Sequence, residues 1–210
     1  MARTITAEDL RCSRGLAENT SRSASPRSIL RQAILRDALK VSDEPFTLSS
    51  GKKSHHYYDL KTVLMDATCL AIIGEVVWEM AREQSVDAIG GLESGAIPIA
   101  VSVLRESHAA GSSLRAFFVR KKPKKHGTQK WIEGNLRSGD KVMIVDDVVT
   151  TGNSLITAVE RTQEIGCHIL SVICVVDRLE GAKEKLDSLG VPFVPLFRHS
   201  DFEGMLSVRR

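Results

Sequence analysis

With 210 residues, 42% hydrophobic and 26% charged side chains and a formal net charge of +3, the chain has the make-up of a soluble α/β domain with a short appendage. So mild a charge gives no argument for nucleic-acid binding, and no apolar run approaches the roughly 20 residues of a membrane span. No apolar stretch near the N-terminus reads as a secretion signal.

Residues 1–27 are rich in Arg and Ser, lack apolar periodicity and end in Ser23-Ala24-Ser25-Pro26, so they read as a mobile N-terminal extension. Glu8, Asp9 and Glu18 count against an acid-poor organelle presequence. From Ser28 onward a single domain, residues 28–210, is expected. Ile29, Leu30, Ala33, Ile34 and Leu39 share one face of an entry helix. Short strands at 44–48 and 57–60 flank the polar turn Ser49-Ser50-Gly51-Lys52-Lys53-Ser54. Asp66 caps a long helix through Ile72, Val76, Val77 and Met80.

Strands and helices then alternate. Strands are expected at 86–91, 114–120, 141–146, 168–176 and 191–197, and helices at 97–105, 154–165 and 181–189. Continuous apolar strands alternating with helices imply a parallel sheet covered on both faces, with ligands at the carboxyl ends of its strands. Gly134-Asn135-Leu136-Arg137-Ser138-Gly139 has the glycine spacing of a P-loop, but it leads into a strand and is a turn. Cys12, Cys69, Cys167 and Cys174 form no CxxC pair, and three of them sit in apolar surroundings, which points to reduced core thiols in a cytosolic protein.

The most informative stretch is Val142-Met143-Ile144-Val145-Asp146-Asp147-Val148-Val149-Thr150-Thr151-Gly152-Asn153-Ser154. An apolar strand is ended by two carboxylates, and small hydroxyl and glycine residues open a helix. Such a turn cradles phosphate, because free backbone N–H groups and the helix dipole converge there. Asp146 and Asp147 suit a neighbouring diol whose hydroxyls donate to them. Phosphate at one end and a diol beside it describe a ribose 5-phosphate. A strand that merely ends in a capped helix needs less than this.

Three further segments belong to the same strand ends. Gly90-Gly91-Leu92-Glu93-Ser94-Gly95-Ala96-Ile97-Pro98 is a second strand-to-helix turn where backbone can approach an anion, and pyrophosphate fits beside a ribose phosphate. An ordinary turn of this type has the same composition. Arg120-Lys121-Lys122-Pro123-Lys124-Lys125-His126-Gly127-Thr128-Gln129-Lys130 carries six Lys or Arg and no acid. It reads as a lid over pyrophosphate, a nucleic-acid patch or a solvated basic loop, and the patch lacks interleaved aromatics. In Phe46-Thr47-Leu48-Ser49-Ser50-Gly51-Lys52-Lys53-Ser54-His55-His56-Tyr57-Tyr58-Asp59 the rings either stack on a flat heterocycle or pack into the core. His55 and His56 are a poor metal pair, since adjacent strand residues face opposite ways.

The 142–154 block resembles the phosphoribosyl-pyrophosphate (PRPP) signature of the type I phosphoribosyltransferases. Together with the Phe-Thr-Leu-x-Ser-Gly hairpin, the Arg-Lys-x-x-Lys-x-His-Gly lid, Ile132-Glu133-Gly134 and Asp177-Arg178, it resembles the orotate phosphoribosyltransferases over roughly residues 28–202. The resemblance implies a parallel-sheet core flanked by helices, with a small N-terminal hood and a flexible lid loop. It implies transfer of ribose 5-phosphate from PRPP to orotate N1, giving orotidine 5′-monophosphate and pyrophosphate.

By the same resemblance Lys124 and Asp147 are catalytic. Arg120, Lys121, Lys124, His126 and the run Asp146, Asp147, Val148, Val149, Thr150, Thr151, Gly152, Asn153 and Ser154 bind PRPP. Glu93, Ser94 and Gly95 form the pyrophosphate turn, and Thr150 and Arg178 meet orotate. Mg²⁺ arrives on PRPP with no protein cage, and the lid crosses to the neighbouring subunit of a cytoplasmic homodimer. Ser49 and Gly95 stand where many or some members carry Lys, with Lys52 or Lys53 as the candidate replacement for the first. A phosphoribosyltransferase for another base is the nearest rival, though neutral purines offer no carboxylate to Arg178. A nucleic-acid-binding regulator on the same fold would need a DNA-reading module, and residues 1–27 show no helix-turn-helix pattern.

Overall fold

The computed structural model describes residues 25–47, 51–123 and 131–206. Helix α1 (Pro26–Ala33) opens with Ser25 as its N-cap, whose side chain accepts from the Ser28 amide. The helix therefore begins two residues before the expected boundary. Proline is at home in a first helical turn, where its missing N–H has no intrahelical partner to lose. A single π-helical turn (Ile34–Ala38) continues it. Leu30, Ala33, Ile34, Leu35, Ala38 and Leu39 are buried, whereas Ile29 is 39% exposed. The shift from α to π winding rotates the buried face, so Leu35 and Ala38 join it, whereas Ile29 lies ahead of that turn and outside the buried stripe. Leu39 is already the first residue of a strand.

That strand, β1 (Leu39–Thr47), pairs antiparallel with β2 (Lys53–Tyr58) to form a hood. Its register shifts between Val41 and Phe46, around Pro45, which has no amide to donate to a ladder. The short α2 (Lys61–Leu64) leads to α3 (Ala67–Glu83), where the Asp66 carboxylate accepts from the Cys69 amide as expected of a cap.

The main sheet follows: β3 (Ala88–Leu92), α4 (Ala96–Ala109), β4 (Arg115–Val119), β5 (Ile132–Gly134), β6 (Lys141–Val149), α5 (Asn153–Glu164), β7 (His168–Asp177), α6 (Ala182–Ser188) and β8 (Phe193–Arg198), closed by α7 (Ser200–Leu206). Strand order is β5-β4-β3-β6-β7-β8. All neighbours run parallel except the edge strand β5, which returns antiparallel to β4. At three residues, β5 is too short for its sequence to show an alternation. The sequence pattern does not indicate helix α7 either.

Two apolar clusters sandwich the sheet. One joins α1, α3 and α4 to one face, and the other lies under α5 and α6. At the amino ends of the strands, Arg115 makes a two-pronged ion pair with Asp140 at 2.7 and 2.9 Å, and Asp140 also accepts from the Arg137 amide. No described helix is long and apolar enough to cross a membrane.

Candidate active site

The strand β6 does not stop at the carboxylates. It runs on to Val149, because β7 keeps pairing with it through Val148↔Val176 and Val149↔Asp177. Asp146 and Asp147 therefore sit inside a paired strand, not at its free end as the sequence suggested. Asp146 is 7% exposed. Each carboxylate accepts the next backbone amide: Asp147 N–H donates to Asp146 at 3.0 Å and Val148 N–H to Asp147 at 2.8 Å. Burial, and then the adjoining Asp147 charge, hold Asp146 well above the usual carboxylate range. Among the described residues neither acid has an ion-pair partner.

Beyond Val149 the chain turns through Thr150 and Thr151 to Gly152, whose φ of 78° places it in the left-handed region. A Cβ there would also lie 3.0 Å from the Ala182 side chain. Helix α5 starts at Asn153 with no side-chain cap, so its first amides are offered to whatever occupies the turn. The Asn153 side chain is held by Lys185 at 2.7 Å.

A cavity of about 500 Å³ opens over this turn, and every residue from Asp146 to Ser154 lines it, with Lys121 and Arg178. The Arg178 amide donates to the Val149 carbonyl, which fixes the arginine beside the cradle. Its guanidinium donates to Ser54 at 2.9 Å and pairs with Glu180 at 3.1 Å, while the other Glu180 oxygen is buried without a partner. Thr47, Tyr57 and Tyr58 close the far wall. The core reading of the aromatic hairpin holds for Tyr58, and Tyr57 also lines the cavity. Tyr58 is buried with its hydroxyl 2.8 Å from His199 Nδ1, and the half-buried Tyr57 packs on Phe46 with a face left to the cavity.

An adjoining cavity of about 160 Å³ lies over Glu93, Ser94 and Gly95 and shares Asp146, Asp147, Val148, Ser154, Lys121 and Lys61 with the first. The Glu93 carboxylate accepts from the Lys121 amide at 2.8 Å, tying the turn to the base of the basic loop. Gly95 faces Asp147 so closely that a Cβ would stand 2.4 Å from the carboxylate oxygen. Arg120 lines neither cavity; it faces Glu133 at 3.7 Å and the Lys122 carbonyl. Lys52 and Lys53 are exposed and line neither cavity. Lys124, His126 and Ser49 lie outside the described residues.

Sequence reasoning missed Lys61 and Glu180. Lys61 carries no motif, and its signal was only a cation immediately after buried Leu60. Glu180 stands two residues beyond Arg178 and could have been suspected as its partner. Among the described residues no cluster of three or more His, Cys, Asp or Glu could hold a metal ion. Cys69, Cys167 and Cys174 are free and buried.

Residues 61–191 match the phosphoribosyl transferase domain family. The chain is 42% identical over 176 residues to the orotate phosphoribosyltransferase of Aquifex aeolicus, covering 83% of this chain and 96% of that protein. Among solved structures it resembles the Mycobacterium tuberculosis orotate phosphoribosyltransferase in complex with Fe(III) dicitrate, at a TM-score of 0.73 and 34% identity, over 85% of this chain and 99% of that one. The same enzyme in complex with PRPP matches at a TM-score of 0.69 and 32% identity, over 84% and 98%.

Proposed function

We infer the site's working from one premise: the chain belongs to the orotate phosphoribosyltransferase family. It is a pentosyltransferase that joins orotate to the ribose 5-phosphate of PRPP, giving orotidine 5′-monophosphate and pyrophosphate in pyrimidine biosynthesis. The residue roles that follow are our assignment. The observation that carries it is that the carboxylate pair, the uncapped start of α5 and Arg178 line one cavity.

The amides at the start of α5, with Thr150, Thr151 and Ser154, hold the 5′-phosphate. Asp146 and Asp147 accept hydrogen bonds from the ribose diol. Arg178 aims its fork at the orotate carboxylate, with Glu180 and Ser54 holding the fork in register and Thr150 completing the contact. The transition state is oxocarbenium-like, so no protein nucleophile is required. The need is to stabilise charge on the departing pyrophosphate, and this falls to Lys121 at the small cavity and to Lys124, His126 and Arg120 of the lid.

Among the described residues, Asp146 and Asp147 beside the diol site are the carboxylates that would face an Mg²⁺ ion travelling on the phosphates of PRPP with its waters. Held there, Mg²⁺ would supply positive charge against the pyrophosphate. The enzyme works as a homodimer with lids crossing between subunits, and its free buried thiols fit the cytoplasm. Mixing Lys124→Ala with Arg178→Ala subunits restores activity if lids cross, and proven heterodimers without recovery would place the lid in cis.

The direct test is loss of orotate ultraviolet absorbance on adding PRPP with Mg²⁺, with orotidine monophosphate and pyrophosphate identified as products. Turnover of a purine base in place of orotate would overturn the Arg178 assignment.

A further inference from the structure

We propose that Lys61 is a catalytic cation that contacts the pyrophosphate of PRPP. The proposal rests on the phosphoribosyl-transfer reading above and gives the leaving-group side of the site a fixed charge of its own.

Lys61 lines both cavities, the one over the phosphate cradle and the smaller one over Glu93, Ser94 and Gly95. It thus stands at their junction, where the ribose gives way to pyrophosphate. Its backbone is anchored: Leu60, Val63 and Leu64 are all at most 1% exposed, and the Val63 and Leu64 amides both donate to the Leu60 carbonyl. The side chain is 63% exposed. A rigid base with a long, mostly exposed cationic arm suits a polyanion that enters and leaves.

The charge at the small cavity gives such a cation a use. Its described walls carry three carboxylates, Glu93, Asp146 and Asp147, against two cations, Lys61 and Lys121. The turn cannot supply another from Gly95, where even a Cβ would collide with Asp147. The opposite wall supplies it instead. Lys61 is held there only loosely. Its ion pair with Asp59 spans 3.8 Å, and Lys40 contacts the same carboxylate at 3.8 Å. An exposed pair of that length contributes little, so Lys61 can turn to a ligand while Asp59 keeps Lys40. In the reaction the bond between C1 and the pyrophosphate oxygen breaks and its electron pair leaves with the oxygen, while orotate N1 bonds to C1 and its N1 proton passes to the departing pyrophosphate or to water. Lys61 stays protonated throughout and stabilises the departing charge.

The test compares Lys61→Met and Lys61→Arg with the unaltered chain, in kinetics with PRPP, orotate and Mg²⁺ and in calorimetric titration with Mg²⁺ and inorganic pyrophosphate. Lys61→Met is expected to lower kcat/KM for PRPP and weaken pyrophosphate binding by about tenfold or more, the loss of one charge-assisted contact. The KM for orotate and the melting temperature should stay as they were, and Lys61→Arg should recover most of the loss. Unchanged PRPP kinetics and pyrophosphate affinity in Lys61→Met would overturn the proposal. So would a loss shared with orotate KM or melting temperature, or one that Arg does not recover, because each marks a structural role. If the unaltered chain ignored orotate, the orotate reading would fall, while the pyrophosphate titration would still decide on Lys61.

Discussion

Asp140 at the amino ends of the parallel strands and the Asp146–Asp147 pair at their carboxyl ends treat charge in opposite ways. At the amino ends, acids and bases satisfy each other: Arg115 grips Asp140 with both prongs, and the Lys141 amide donates to Asp87. At the carboxyl ends, Asp146 and Asp147 stand side by side in a paired strand, one of them buried, with no described cation in ion-pair range. The first arrangement ties β4 to β6. The second keeps like charges together at a cost to stability, which is reasonable only if a ligand relieves it. The amino ends hold the sheet together and the carboxyl ends carry the candidate site.

Substitutions should separate the two ends. Asp140→Ala is expected to have the largest effect on stability, about 3 kcal/mol, since it strands Arg115 and the Arg137 amide. Melting should fall by roughly 6–12 °C with KM for both substrates unchanged. Altered KM values at full folding would break the division of labour.

Asp147→Asn should do the reverse. It should cost about 2 kcal/mol in kcat/KM for PRPP, through the lost charge-assisted contact to the diol. Melting at neutral pH should hold or rise, because the repulsion on Asp146 goes. A fall in melting as large as that of Asp140→Ala would mean that the pair serves stability after all.

This contrast also explains what the sequence disclosed. The carboxyl-end block was legible because its chemistry is local: four apolar residues, two acids and a small-residue turn are contiguous from Val142 to Ser154. Asp66 as a cap was legible for the same reason. What stayed hidden depends on partners far along the chain. The length of β6 is set by β7, Arg178 is steadied by Ser54 across 124 positions, and Tyr58 meets His199 across 141. Lys61 gained meaning only once the hood brought α2 over the turn at residues 93–95.

Within the carboxyl end, a subtler contrast separates backbone from side chains. The cradle depends on Gly152 at φ 78°, so Gly152→Ala combines left-handed strain with a Cβ 3.0 Å from Ala182. The expected loss is about 1–2 kcal/mol in unfolding free energy, with KM for PRPP raised because the helix start moves. An unchanged denaturation midpoint would show that the turn adjusts freely.

The smallest effect concerns pH and the wall behind Arg178. His56 and His199 lie 4.9 Å apart between centroids, with Tyr58 against His199 and Arg178 nearby. Burial, above all, lowers the pKa of both rings; Arg178 and the other ring or a neighbouring histidine add to this, while Glu203 opposes it for both and Glu180 for His199. Folding therefore favours the neutral rings, so their contribution is complete above the ordinary histidine value of about 6.5 and is lost as pH falls through it towards the lower folded values. Between pH 7.5 and 5.5 the unaltered chain should lose somewhat more stability than a His56→Gln, His199→Gln double variant, by about 1 kcal/mol or less. Identical pH profiles would show that the rings meet enough water to titrate as they do in the unfolded chain, and the wall behind Arg178 would then be a wet one.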